Sequence, residues 1–355
     1  MRSSIGLLAL LFGLITSPAL SDPIPDDIGS RIVTGFARPA TEAFSRAALE
    51  ARHLVGTLCA APGGDALVAA RAGFRDLVSA WGGVSVLRFG PLQAENRFER
   101  VFFWPDPRGV IVRQVQRLLA ERDETALSPE SLAAKSVALQ GLPALELVLH
   151  GAGADELETG AGHYRCRYGA AVAANVAAMA AAVAAGWREG NAFHDDFASP
   201  SEDHDLYRSD REVAGEVVKA AATALQFTRN AELLPPLGEM AATARGKRAP
   251  LWRSDLTFAL VAARIDGVLG LLSASGFDAD EGARLALETI RFELVHAREA
   301  IAKVAAPAED AFADDVQRGR ISYVALALDG ANTALGERLS TALGLTMGFN
   351  ALDGD

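Results

Sequence analysis

Helical periodicity, interrupted by glycine and proline, is the feature that most constrains how this chain can fold. Phe74, Leu77 and Trp81, for example, share one face of a helix predicted over residues 65–89. The same spacing predicts helices over residues 28–59, 108–122, 128–149, 164–189, 212–234, 254–273, 278–304 and 309–344. No convincing strand alternation appears, so the pattern predicts an all-α fold.

The chain divides near its middle into two halves of similar pattern. Residues 191–210 are polar and rich in acids, whereas half of the whole chain is hydrophobic and only 7% of it is aromatic. Each flanking half holds about four long helices. We therefore expect two packed domains resembling four-helix bundles of up-down topology, at residues 22–190 and 211–355, joined by a polar linker at 191–210.

The N-terminal residues have the pattern of a secretory signal peptide. Arg2 precedes an apolar run at 5–15, Pro18 follows, and Ala19-Leu20-Ser21 supplies small residues before a cut at Asp22. The run is too short for a comfortable membrane span, and no cysteine stands at the cut. The sequence therefore predicts a periplasmic protein without a lipid anchor, and without a transmembrane segment once residues 1–21 are removed.

Cys59 and Cys166 are the two cysteines of the sequence. Two cysteines in an exported chain predict one disulfide, with two buried free thiols as the alternative. In an up-down bundle the end of the first helix lies near the start of the fourth, and Cys59 and Cys166 occupy those places.

A carboxylate stands in the stretch Gly141-Leu142-Pro143-Ala144-Leu145-Glu146, inside an apolar segment at residues 137–149. Burying Glu146 there costs free energy unless a partner accompanies it. Two interpretations follow. In the first, Glu146 acts at the junction of the two bundles as an acid or as a ligand that binds a cation. In the second, it is a buried carboxylate paired with an arginine, and the pair holds the bundles together.

This segment resembles the Gly-x-His-x-x-Glu motif of the imelysin family, with Pro143 at the position of the histidine. Two further segments carry the resemblance: one runs from Arg88-Phe89-Gly90-Pro91 to Phe103-Trp104-Pro105-Asp106, and the other is the C-terminal stretch 348–355. Together they resemble the imelysin-like subgroup of predicted periplasmic proteins, and the resemblance implies that the C-terminal stretch is docked.

The resemblance implies ligand binding in the periplasm linked to iron uptake, with iron or another hard metal ion as a candidate cofactor. It also implies a metallopeptidase alternative, of the M75 peptidase type. Proline cannot coordinate a metal, so Pro143 argues against peptidase activity and leaves Glu146 as the candidate metal ligand. A third alternative is a non-catalytic protein that binds envelope partners.

Several arginines and one tryptophan complete the predicted site around Glu146. Arginine is suited to recognising carboxylate or phosphate, so this cluster is expected either to hold an anionic ligand or to neutralise Glu146. The predicted ligand-binding residues besides Glu146 are Arg88, Arg97, Trp104, Asp106, Arg113 and Arg253. A formal net charge of −11 argues against a nucleic-acid partner, since phosphate binding needs a basic surface.

Overall fold

A computed structural model describes residues 23–346 of the 355-residue chain. The signal peptide predicted at 1–21 and the C-terminal stretch 348–355 lie outside these residues. Within residues 23–346, nine α-helices have ten or more residues. They are α1 (Arg38–Ala60), α2 (Gly64–Val84), α3 (Val110–Glu121), α4 (Gly141–His150), α5 (His163–Gly186), α6 (Asp210–Phe227), α7 (Thr257–Ala274), α8 (Glu281–Ala302) and α9 (Asp315–Thr333).

Shorter elements connect these helices, and no strand occurs in residues 23–346. The short α-helices are Ile28–Ile32, Arg97–Val101, Pro129–Ala133, Ala192–Ala198, Leu234–Leu237, Ala308–Ala311 and Ser340–Ala342. Three segments are π-helical: Val33–Ala37, Thr228–Leu233 and Ala334–Leu339. The all-α prediction is therefore confirmed.

The long helices pack in two groups. In the first group, α5 packs against both α1 and α4, and α1 also packs against α2. In the second group, α7 packs against α6 and α8, and α9 packs against α8 and α6. These contacts involve the helices expected for each half, while the division into two domains with a linker at 191–210 stays a prediction.

Helices α2 and α7 join the two groups, and glycine lets them approach closely. A Cβ atom on Gly82 would lie 2.6 Å from the Cβ atom of Ala263, and one on Gly267 would lie 2.6 Å from the carbonyl oxygen of Gly83. Both distances are shorter than real carbon contacts, so the two helices touch backbone to backbone at these points. The groups are therefore in direct contact along this helix pair.

The Cys59–Cys166 disulfide is present, with the two Cα atoms 5.4 Å apart. It links the end of α1 to the start of α5, as the bundle argument predicted. The bridge spans 107 residues of sequence and so ties the ends of the first helical group together.

The structure corrects two predicted helices. Residues 128–149 do not form one helix, because a break with a φ of +72° at Gly141 separates Pro129–Ala133 from α4. Residues 309–344 are likewise divided, since Asp314 caps a new helix through its carboxylate, which accepts the N–H groups of Val316 and Gln317. Inside the polar stretch 191–210, Ala192–Ala198 is a helix whose Phe197 is fully buried.

Two segments are long and apolar enough to cross a membrane by length and composition, Gly160–Gly186 and Thr257–Ala274. Core helices of globular proteins pass the same test. The most apolar window of the first segment is 67% buried inside the protein, and that of the second is 50% buried. These helices pack at the centres of the two groups, and the expected lack of a membrane span stays a prediction.

Candidate functional site

A cavity of about 670 Å³ opens between the two helical groups. Its walls come from the segment before α3, from α3 and α4 themselves, from the end of α6, and from the segment that precedes α7. The lining residues are Trp104, Pro105, Asp106, Pro107, Gly109, Ile111, Val112, Pro143, Glu146, Leu147, Phe227, Asn230, Ala231, Pro235, Lys247, Arg248, Ala249, Pro250, Leu251, Trp252 and Arg253. Most of the lining is apolar, and a few charged groups converge on it, which is typical of small-molecule sites.

Local backbone rules place Pro143 and Glu146 on the same wall. At Gly141 the chain passes so close to its neighbour that a Cβ atom would lie 2.2 Å from the carbonyl oxygen of Val101. Pro143 then occupies the first turn of α4, where a missing N–H removes no helical hydrogen bond. Residues three apart lie on one helix face, so Pro143 and Glu146 both border the cavity.

Glu146 is 3% exposed and accepts hydrogen bonds from Ser254, with a further backbone hydrogen bond from Arg253. The backbone N–H of Ser254 donates to Glu146 Oε1 over 2.9 Å, and the Ser254 hydroxyl lies at the same distance from that oxygen. The expectation that Glu146 is buried with a polar partner near the junction is confirmed. Its side-chain partner is serine, whereas Arg253 contributes a backbone hydrogen bond and a nearby charge in place of the ion pair of the second interpretation.

Burial raises the pKa of the Glu146 carboxyl above its ordinary value. The hydrogen bonds from Ser254 and the positive charge of Arg253 oppose this rise without cancelling it. Arg253 shows the reciprocal effect: partial burial lowers its pKa, and the nearby Glu146 raises it. The site therefore holds an acid that ionises less readily than usual, close to a half-buried cation.

The segment before α7 carries Ser254 and most of the charged lining, and its backbone is unusual. Leu251 has a φ of +54° and Asp255 a φ of +58°, values that are uncommon for residues other than glycine. The segment is held in place by a hydrogen bond from the Thr257 hydroxyl to the Pro250 carbonyl, and by one from the Ala308 N–H to Asp255. This region corrects the prediction of a helix from residue 254. The helix begins at Thr257, and Ser254 serves Glu146 instead of capping it.

Trp252 lies between two cations on this segment. The guanidinium carbon of Arg253 is 4.3 Å from the ring centroid of Trp252, and Lys247 Nζ is 5.3 Å from it. Lys247 also pairs with Glu309 at 2.6 Å. Arg248 lines the cavity, is exposed, and has no hydrogen bond or ion pair from its side chain within residues 23–346.

Trp104 and Asp106 lie at the cavity as predicted, although Asp106 has a structural role. Trp104 Nε1 donates to the carbonyl oxygen of Ala231 over 3.0 Å and so links the two halves. The carboxylate of Asp106 accepts the N–H groups of Val110 and Ile111, each at 2.8 Å. Both Asp106 oxygens are therefore occupied by the first turn of α3.

Arg88, Arg97 and Arg113 do not line the cavity, which corrects the prediction that they cluster around Glu146. Arg88 pairs with Glu99 at 2.9 Å and stacks on the ring of Phe98. Arg97 donates to the carbonyl of Pro91, and Arg113 donates to that of Arg108. Each guanidinium contacts a residue close to it in the sequence. Spacing along the sequence does not show which way an arginine side chain points.

Sequence reasoning missed Lys247, Arg248 and Trp252, which border the cavity. Their signal was a basic and aromatic stretch, Lys247-Arg248-Ala249-Pro250-Leu251-Trp252-Arg253, of which only Arg253 was singled out. Glu146 and Asp106 are the acidic residues among the lining residues given above, and no histidine is among them. Within residues 23–346, no group of three or more His, Cys, Asp or Glu side chains is arranged to hold a metal ion.

Comparison with known proteins gives a family and a fold. The model of the family described as Imelysin, Peptidase M75, matches residues 37–335. An imelysin-like protein from Psychrobacter arcticus 273-4 is 18% identical, with a TM-score of 0.72 over 92% of this chain and 99% of that one. A putative iron-regulated protein A precursor from Parabacteroides distasonis ATCC 8503 is 13% identical, with a TM-score of 0.74 over 90% and 96%. No curated protein matches significantly.

The chain belongs to the imelysin family, because the family model spans most of its length. The two solved structures share its fold at identities too low to carry function. The predicted family resemblance is confirmed.

Proposed function

We propose that this imelysin-family protein is a non-catalytic, periplasmic ligand-binding protein whose small-molecule ligand occupies the cavity between the helical groups. The observation that carries the proposal is the cavity itself, about 670 Å³ with a mostly apolar lining and a few converging charged groups. Its position between two helical groups is also typical, since ligand pockets prefer such junctions.

The donor set around Glu146 favours binding over zinc-dependent peptide hydrolysis. A catalytic zinc needs about three protein ligands and an open position for water. Two carboxylates line the cavity, and that of Asp106 is taken up by the N–H groups at the start of α3, which leaves Glu146. Pro143 stands where the family resemblance puts a histidine. These residues do not fit a zinc site, nor do they form an oxygen-rich site for a hard ion.

A link to iron acquisition is part of the proposal and is separate from the identity of the ligand. One structural neighbour is described as a putative iron-regulated protein A precursor. We extend that regulation to this chain and expect its abundance to rise when cells are starved of iron. Equal abundance in iron-rich and iron-starved periplasm would contradict this part.

The test of cavity binding uses N-phenyl-1-naphthylamine, a neutral aromatic probe that fluoresces when it leaves water. The exported chain should bind one equivalent of this probe. Val112→Phe, which places a larger side chain in the cavity wall, should abolish binding. Val110→Phe makes the same change two residues earlier on α3, outside the lining, and should bind like the unmodified protein.

Unchanged melting temperatures would show that both variants fold. Absence of binding to the unmodified protein, or equal binding by Val112→Phe and Val110→Phe, would overturn the proposed cavity site. Proteolysis of an unfolded substrate that requires added zinc and is lost in Glu146→Gln would instead support the peptidase alternative.

A further inference from the structure

More positive than negative side chains line the cavity. Lys247, Arg248 and Arg253 line it, against the two carboxylates of Glu146 and Asp106. This local excess of positive charge occurs in a chain whose formal net charge is −11. The cavity is therefore a basic site on an acidic protein.

Both carboxylates already accept hydrogen bonds from the protein. Both oxygens of Asp106 accept backbone N–H groups at the start of α3. Burial disfavours the ionised form of Glu146, whose Oε1 already accepts from Ser254. A cationic ligand would therefore meet three positive side chains and two carboxylates that are already engaged by protein donors.

The cations, by contrast, are held ready for an anion. Arg253 is stacked on Trp252 and is partly buried, so an incoming anion would find it already positioned and poorly hydrated. Arg248 has no partner within residues 23–346, although it lines the cavity. Lys247 is shared with Glu309 and contributes from the rim.

Other parts of the lining are apolar and aromatic. Trp104 lines the cavity with its indole N–H already donated to the carbonyl of Ala231, so its ring surface is left for an apolar contact. Ile111 and Leu147 line the cavity as well. The cavity volume of about 670 Å³ falls within the range of about 300–1,000 Å³ found for pockets that take drug-sized ligands.

From this arrangement we infer that the cavity binds an organic anion with an apolar body, its carboxylate-like or sulfonate-like group set against Arg248 and Arg253 and its body against Trp104. The inference rests on the proposed cavity binding and adds the chemical class of the ligand. It makes Arg248 and Arg253 determinants of specificity, because they recognise the charged end.

The experiment compares two probes with the same aromatic body. 1-Anilinonaphthalene-8-sulfonate carries a sulfonate, and N-phenyl-1-naphthylamine is the same molecule without it. The sulfonate probe should bind at least about tenfold tighter, the effect of one charge-assisted contact. Its affinity should fall as salt is added, while that of the neutral probe stays constant.

Substitutions assign the effect to residues. Arg248→Gln and Arg253→Gln should each weaken the sulfonate probe by about tenfold and leave the neutral probe unchanged. Arg46→Gln removes the same charge at an exposed position outside the lining and should change neither affinity. Val112→Phe should exclude both probes, which separates cavity binding from adsorption at the surface.

Each outcome decides a different statement. Equal or tighter binding of the neutral probe would overturn the anion inference while leaving cavity binding intact. An equal loss of the sulfonate probe in Arg46→Gln and Arg248→Gln would also overturn it, because general charge would then explain the effect. Failure of both probes to bind the unmodified protein would overturn the proposed function and the inference with it.

Discussion

Two buried glutamates lie at the junction of the helical groups, and their surroundings differ. Glu232 is fully buried and pairs with Arg264, which is 2% exposed. Arg264 Nε also donates to the Ser85 hydroxyl over 3.0 Å, so this pair joins α7 to the end of α2. Glu146, 3% exposed, borders a cavity and is paired with the neutral donors of Ser254.

The comparison shows that burial of a carboxylate does not by itself mark a functional site. Burial raises the pKa of both carboxyls, and a partner opposes the rise in each case. What differs is the partner: an equally buried cation matches the charge of Glu232, whereas Glu146 faces a cavity with a half-buried arginine nearby. Glu232 is therefore structural, whereas Glu146 borders the cavity in which we propose that a ligand binds.

The largest expected effect comes from breaking the core pair. Arg264→Met leaves the carboxylate of Glu232 buried without its cation and should lower the free energy of unfolding by about 3–5 kcal/mol. Urea denaturation followed by circular dichroism measures this. The double variant Arg264→Met with Glu232→Leu should recover most of the loss, since it removes the uncompensated charge. A single variant as stable as the unmodified protein would contradict the structural role of this pair.

A smaller loss is expected at the cavity. Glu146→Ala leaves the N–H of Ser254 without its acceptor, while the hydroxyl keeps the Leu251 carbonyl, and should cost about 1–3 kcal/mol in the same assay. Glu146→Gln keeps an acceptor oxygen and serves as the matched control. The comparison between the two glutamates would fail if Glu146→Ala destabilised the protein as much as Arg264→Met does.

The smallest effect is a pH dependence at Glu146. Its pKa in the folded protein is raised above that of the unfolded chain, so the folded state binds more protons between the two values. Its contribution to stability is therefore fully present below the ordinary pKa near 4.5 and is lost as pH rises through the raised one. The stability of the unmodified protein relative to Glu146→Gln should fall over that window, by about 1.4 kcal/mol per unit of pKa shift.

Urea denaturation of both proteins from pH 4 to pH 8 checks this prediction. Ser254→Ala should widen the window, because the serine hydroxyl stabilises the ionised carboxylate. A stability difference between the unmodified protein and Glu146→Gln that stays constant with pH would contradict a raised pKa.

The sequence predicted much of the fold because helix formation and helix breaking are local. Apolar spacing found a helix at the place of each long helix, several of them to within a few residues, and the bundle argument brought Cys59 and Cys166 together correctly. The wrong helix boundaries lie where the backbone conformation of one or a few residues ends or starts a helix. The break at Gly141 and the late start of α7 at Thr257 depend on close contacts with distant segments, which spacing does not report.

For the site, the sequence picked Glu146 because an acid in an apolar segment must find a partner, and it placed Trp104 and Arg253 beside it. It did not distinguish arginines that face the cavity from those that pair locally. Arg88 pairs with Glu99, and Arg97 donates to the carbonyl of Pro91. Arg248, which was not predicted from the sequence, borders the cavity. Side-chain direction depends on backbone angles such as that of Leu251, and no pattern of residue types reveals it.

The sequence by itself determined an all-α protein of the imelysin family with one disulfide and a buried glutamate in α4, because periodicity, cysteine count and the cost of burying charge act within short stretches. Only the tertiary structure decided which partner that glutamate has and which cations share its cavity. The packing of the two helical groups brings Glu146 into contact with Ser254, which is 108 residues away in the sequence. Contacts of that range follow from how whole helices meet, since glycine and small side chains set the distance between them.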